Sequence, residues 1–325
     1  MGQLQIKQWL PLGNFSPVAT FPKRLISKWF FISKNLILIL GSNLGFCGAK
    51  VLSTTLSGNT LLKLNKNYSL GKKGFILELP RDQVIFSSIR KNGEWELNES
   101  EFLAVGLNKI CLKYNLKTAL LDIGANTGLV TLQTMNISAT NNSVFLFEPI
   151  PRHTIAIKHN LMNLSKTNNI HINEFALSDR NENSKIYTDA LNHGHTTLLK
   201  SLVSQNKRIE TIIELVDTNE YCNNFLNGFD GYVIKCDTQG MDALILSRLP
   251  INIWLTTERA VVEVWALQQI NVQDVDKLLS MWSNLDSSWT SDFRIKIGLN
   301  EIREFWLSNS GLSKNLFLTK PFNKD

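Results

Sequence analysis

The first 77 residues contain neither aspartate nor glutamate. Ten lysines and arginines fall in the same stretch, so with a whole-chain charge of +6 the remainder is net acidic. Charge of one sign gathered at one end points to an interaction arm whose partner is a polyanion, such as acidic lipid. Long apolar runs are scarce as well. No uncharged stretch of the arm exceeds 15 residues, and the one from Asn35 to Ala49 includes three glycines, whereas a membrane-spanning helix needs about 20 mostly apolar residues. A transmembrane helix is therefore excluded. The apolar block Leu36-Ile37-Leu38-Ile39-Leu40 starts too far from Met1, with no cleavage site behind it, for a secretory signal. Two readings of the arm stand. It is a basic amphipathic segment making peripheral membrane contact, or a helix packed on the body with its lysines in water.

Cysteine is sparse too. Cys47, Cys111, Cys222 and Cys236 form no C-x-x-C pair, and no Cys/His cluster has zinc spacing. No metal is expected, and a reducing, cytoplasmic location fits, with membrane association if the arm lies on lipid. Basic and aromatic residues form no recognised nucleic-acid-binding pattern, so no nucleic-acid partner is expected. What is abundant is apolar side chain, 43% of the sequence, enough for a sizeable core.

The chain is organised around Leu120-Leu121-Asp122-Ile123-Gly124-Ala125-Asn126-Thr127-Gly128. An apolar strand ends in a carboxylate and a glycine loop, and Leu129, Val130, Leu132 and Met135 follow at helical spacing. Strand, loop and helix open a doubly wound α/β fold, whose ligand sits at the carboxyl end of the first strand. The glycines let backbone N–H groups approach a ligand, and the helix turns its positive end to the same place. The loop is G-x-N-x-G, not the G-x-G-x-x-G that a pyrophosphate needs. A compact zwitterion suits it better, namely the methionine end of S-adenosylmethionine. The next apolar run, Val144 to Phe147, ends in Glu148, 20 residues after Gly128, where a carboxylate can accept both ribose hydroxyls of a nucleoside.

The blocks DIGANTG, FEPIPRHTIAIKHNLMNL, FALSD and VIKCDTQGMDALIL together resemble the FkbM family of S-adenosylmethionine-dependent methyltransferases, over about Leu79 to Val264. The resemblance implies a class I methyltransferase fold, Rossmann-like, with a doubly wound, mostly parallel seven-stranded sheet and an antiparallel edge strand. It implies O-methylation of a sugar, glycan or related hydroxyl. Asp122, Gly124, Asn126, Gly128 and Glu148 become the cofactor-binding set, and Asp179 of FALSD is placed on the adenine. A base for the acceptor hydroxyl is required. The candidates are Asp237 at the end of Tyr232–Asp237, His195 in the N-H-G-H run read as a loop, and Glu263 inside the apolar run Ala260 to Trp265. Gln239 stands where many members carry Glu, and an amide cannot take the proton. Asn160 and Asn163 are read as structural amides.

The expected organisation is a basic extension over 1–74, a strand-rich lead-in and helix over 75–116, the cofactor-binding domain over 117–320 and a tail over 321–325. Strands are expected at Phe75–Leu77, Val84–Phe86 and Gly93–Glu96. Asn98, with Glu101, is expected to cap a helix carrying Leu103, Leu107, Ile110 and Tyr114. Phe293–Ile297 and Phe305–Leu307 are expected to form the final strand pair. Two rival functions share the sheet: a nicotinamide-dependent oxidoreductase, and a non-catalytic interaction module.

Overall fold

The structure, a computed structural model, describes residues 48–113, 116–138, 140–166, 168–267 and 270–321. The expectations for the arm up to residue 47, and for Tyr114, fall outside these residues. Among the described residues, no helix is long and apolar enough to cross a membrane.

Three short strands come first: β1 (Ala49–Thr54), β2 (Thr60–Leu64) and β3 (Ile76–Leu79), in one antiparallel sheet. Alternation builds them. Leu62 and Leu64 turn inward while Lys63 stays in water. This sheet crosses the boundary expected at residue 74. Helix α1 (Ile85–Asn92) follows where a strand was expected at Val84–Phe86. The reason is local. Oδ1 of Asp82 accepts the N–H groups of Val84 and Phe86, each at 3.0 Å, satisfying the helix start. Ile85, Phe86 and Ile89 then share one buried face. Gly93, with φ of 79°, ends the helix. Helix α2 (Leu97–Asn108) begins at Leu97, and Asn98 lies exposed within its first turn instead of capping it.

The main sheet has seven strands: β4 (Thr118–Ile123), β5 (Ser143–Phe147), β6 (Asn169–Asn173), β11 (Gly231–Cys236), β12 (Thr257–Trp265), β13 (Asp286–Ser288) and β14 (Ser313–Thr319). Their order is β13-β14-β12-β11-β4-β5-β6. All run parallel except β14, which is antiparallel to β12 and β13 on either side. β4 and β11 are buried at every position, as parallel strands covered on both faces are. On one face Leu120, Leu146, Val233 and Val261 pack against α1, α2 and α3 (Leu129–Ile137). On the other, Leu121, Phe147, Ile234 and Val262 pack against α6 (Asp242–Arg248) and the tryptophans Trp254, Trp282 and Trp306.

The expected final strand pair is corrected. Residues 299–307 form a helix, in which Ile302 and Trp306, one turn apart, are buried and Glu301 accepts the Gly298 N–H at its start. Phe293 has φ of 59° and breaks any strand at 293–297. β13 and β14 are the closing pair.

Between β6 and β11 a second, four-stranded sheet is inserted: β7 (Ala176–Ser178), β8 (Glu182–Asp189), β9 (Asn192–Thr197) and β10 (Arg208–Asp217). The N-H-G-H run is thus strand β9 and not a loop. Helix α4 (Pro151–Asn160) ends in Asn160, which is fully buried. Its Oδ1 accepts Glu78 N–H at 2.7 Å, and its Nδ2 donates to the carbonyls of Glu78 and Thr127 at 3.0 and 2.9 Å. That amide ties the N-terminal sheet to the glycine loop.

Candidate active site

At the carboxyl end of β4 the chain turns three times through positive φ: Gly124 at 77°, Asn126 at 51° and Gly128 at 73°. A Cβ on Gly124 would stand 2.0 Å from the carbonyl oxygen of Asp237, so only glycine lets β4 and β11 finish this close. Gly128 packs against Ile157 of α4. A cavity of about 290 Å³ opens over this end of the sheet.

Of the expected residues, Gly124, Asn126, Glu148, Asp237 and Glu263 line that cavity. Asp122, Gly128, Asp179 and His195 stand off its wall. Asp122 is almost wholly buried behind it, with Oδ2 accepting from the Thr131 hydroxyl at 2.6 Å. Asp179 bonds Ser178 and the exposed Arg180; Ala176 and Leu177 take the wall there instead. His195 is turned away by strand alternation. Asn192, Gly194, Thr196 and Leu198 face the cavity, so residues 193 and 195 face the other side. His195 stacks on Trp265 with ring centroids 5.8 Å apart, and burial lowers its pKa. His193 is pushed down to about 4, first by burial and then by Arg152 and His153.

Glu148 organises the loop. Its Oε2 accepts the N–H of Asn126 at 2.8 Å, and its Oε1 accepts the N–H of Ile150 at 2.9 Å. Nδ1 of His153 lies 3.2 Å from the same Oε1. His153 also borders the cavity and was not anticipated. Its position five residues after Glu148, at the start of a helix, was the available signal.

The electrostatic centre is Lys235. Its ammonium donates to the Gly124 carbonyl at 3.1 Å and stands 3.7 Å from both Asp122 and Asp237. Burial works to lower its pKa, but Asp237, Asp122, Glu96 and Glu99 outweigh it, and the net shift is upward. Burial likewise works to raise Asp237, yet Lys235 and hydrogen bonds from Glu263, Gln239 and Lys235 bring it below the usual carboxylate value. Nε2 of Gln239 bridges Asp237 at 2.6 Å and Glu263 at 2.7 Å. Glu263 is pushed up to about 11 by burial and then by the Asp237 charge. It is therefore protonated at neutral pH and is a donor, not a base. Across the cavity Glu96, at the start of α2, is raised to about 7, chiefly by burial.

The sheet order, with one antiparallel strand next to the edge strand and cavity-lining carboxyl groups at the adjacent parallel strands β11 and β12, decides the architecture. The fold is a doubly wound α/β sheet of seven mostly parallel strands. Among solved structures, the chain is similar to the S-adenosylmethionine-dependent methyltransferase from Agrobacterium tumefaciens, at 10% identity over 83% of this chain and 77% of that one, with a TM-score of 0.40. It is also similar to precorrin-6y C5,15-methyltransferase from Geobacter metallireducens, at 13% identity over 67% and 88%, with a TM-score of 0.29. At these scores it is the strand order that carries the fold. No protein-family model matches the chain, and no curated protein matches it by sequence.

Proposed function

We propose that the chain is an S-adenosylmethionine-dependent methyltransferase of FkbM type that methylates a hydroxyl of a sugar or glycan. The observation that carries the reading is Asp237, kept ionised at the cavity wall by Lys235, Gln239 and protonated Glu263. The residues present fit the cofactor. Oδ1 of Asn126 and Oγ1 of Thr238 are buried without hydrogen-bond partners, and both residues border the cavity. They match an ammonium and a carboxylate respectively. Glu148 fits the ribose hydroxyls, having lone pairs beyond those used by Asn126 and Ile150. Asp122 acts through Lys235 and the loop, from behind the wall.

When bound, the cofactor supplies an electrophilic methyl group on a sulfonium. The protein would align the acceptor oxygen with that methyl, and Asp237 would take the hydroxyl proton as the C–O bond forms and the methyl–sulfur bond breaks, its electron pair staying on sulfur as a neutral thioether. Glu263 and Gln239 donate to Asp237 and fix the direction of its free lone pair. The preponderance of carboxyl groups favours a cationic donor in this cavity.

The test is Asp237→Asn. The variant should bind S-adenosylhomocysteine in calorimetry as the parent does, yet transfer labelled methyl to a cell-derived glycan fraction about 100-fold more slowly, the lower end for loss of a general base. Unchanged transfer would remove Asp237 from this role.

A further inference from the structure

The cavity over Asp237 is not the only one that Glu96 borders. A second cleft of about 580 Å³ lies between the start of α2 and the start of β14, and Glu96 is common to both. Sheet register makes them neighbours. Asn315 of β14 pairs with Glu263 of β12, so the second cleft begins one strand away from the donor that holds Asp237. Nδ2 of Asn315 also donates to Glu99 at the cleft wall. Glu96 itself has φ of 48°, a left-handed conformation unusual for a side chain with a Cβ. Such strain gathers where ligands are held.

The lining chooses among ligand classes. Glu94, Glu96 and Glu99 are acidic, and Asn98 and Asn315 are amides. Among the described residues the cleft's one cation, Lys314, lies over the rings of Trp289 at 5.2 Å and Phe305 at 4.7 Å, so it is already engaged by two aromatic faces. Lys235, the cation of the inner cavity, is held by Asp122, Asp237 and the Gly124 carbonyl. A phosphate or uronate would therefore meet carboxylates with, among the described residues, no uncommitted cation along these two walls. An uncharged polyol would meet amide donors, carboxyl acceptors and the apolar body of an indole, which suits the C–H face of a pyranose.

We infer that this second cleft is the distal subsite of the acceptor, taking uncharged saccharide units while the hydroxyl to be methylated passes Glu96 into the inner cavity. The inference rests on the methyltransferase reading above and names the acceptor's chemistry: a neutral oligosaccharide of more than one unit.

The experiment uses the full chain with maltotriose, laminaritriose, chitotriose and trigalacturonate as probes in saturation-transfer NMR at millimolar concentration. Asn98→Trp fills the cleft from an exposed helix position without touching Asp237 or its partners. Calorimetry with S-adenosylhomocysteine is run in parallel. At least one neutral trisaccharide should bind the parent, weaken at least 10-fold in Asn98→Trp, and outbind trigalacturonate, with cofactor-product affinity equal in both proteins. Binding by none of the neutral probes, equal binding to the variant, or stronger binding of trigalacturonate overturns the subsite. Retained affinity for S-adenosylhomocysteine in any of those cases shows that the subsite alone has failed. Absent affinity in the parent overturns the methyltransferase reading instead.

Discussion

Replacing Lys235 with methionine tests the electrostatic design of the site. The side chain is 6% exposed, and methionine preserves most of its length and volume. What is lost is the ammonium between two carboxylates, each 3.7 Å away. Removing one partner of a buried ion pair costs about 3–5 kcal/mol, because the other charge is left uncompensated. That is a large share of the roughly 5–15 kcal/mol that holds a domain folded. For a chain of this size the melting temperature should fall by roughly 6–10 °C, at ~2 °C per kcal/mol. The pH dependence gives a second reading. In the parent, Asp237 has a lowered folded-state pKa, so its contribution is present above the unfolded value and lost as pH falls through the folded one. Without the ammonium, burial dominates both carboxyls: it lifts Asp237 and raises Asp122 beyond the upward shift that burial already gives it in the parent. Each then contributes a penalty that grows as pH rises through the unfolded value and on towards the folded one. The parent already holds other buried carboxyls raised by burial, Glu96 to about 7 among them, so the variant should regain more stability than the parent does on acidification from pH 8 to pH 5. Urea unfolding at four pH values in that range measures both. A loss under about 1 kcal/mol with the parent's pH profile would refute the assignment of Lys235 as the charge that holds Asp122 and Asp237 together.

Two further outcomes follow from the same geometry. Glu263→Gln should leave stability within about 1 kcal/mol and methyl transfer within about 10-fold, because a protonated carboxyl is already acting as a donor; Glu263→Ala should lose more of both, and equal effects of the two changes in transfer assays would contradict the donor role. Asn160→Leu removes three buried hydrogen bonds, to Glu78 twice and to Thr127, and leaves their backbone groups unpaired at about 1–3 kcal/mol each. Thermal unfolding should show a marked loss of stability, and hydrogen exchange should rise first in β3 and the glycine loop.

Much of this molecule was written locally. The G-x-N-x-G turn, the carboxylates ending β4, β5 and β11, and the alternation along β11 depend on neighbours in sequence, and the structure bears out the strands that carry them. Local reading failed where a distant or non-periodic contact decided. Val84–Phe86 became a helix because Asp82 satisfies its first N–H groups. Residues 299–307 became a helix because Ile302 and Trp306 share a face buried in the core. The N-H-G-H run entered a second sheet, and pairing with β8 set which of its residues face the cavity.

The sequence by itself determined the α/β class, the position of the crevice and the acidic residues near it, because glycine placement and apolar periodicity are properties of short stretches. Tertiary structure alone decided protonation and access. Glu263 and Asp237 are both carboxylic acids in the sequence. Only burial, the Lys235 ammonium and the bridging amide of Gln239 raise the pKa of one of them and lower that of the other. Only the pairing of β9 with β8 turns His195 away from the cavity, since the direction of a side chain on a strand is fixed by register with a partner that the local sequence does not name.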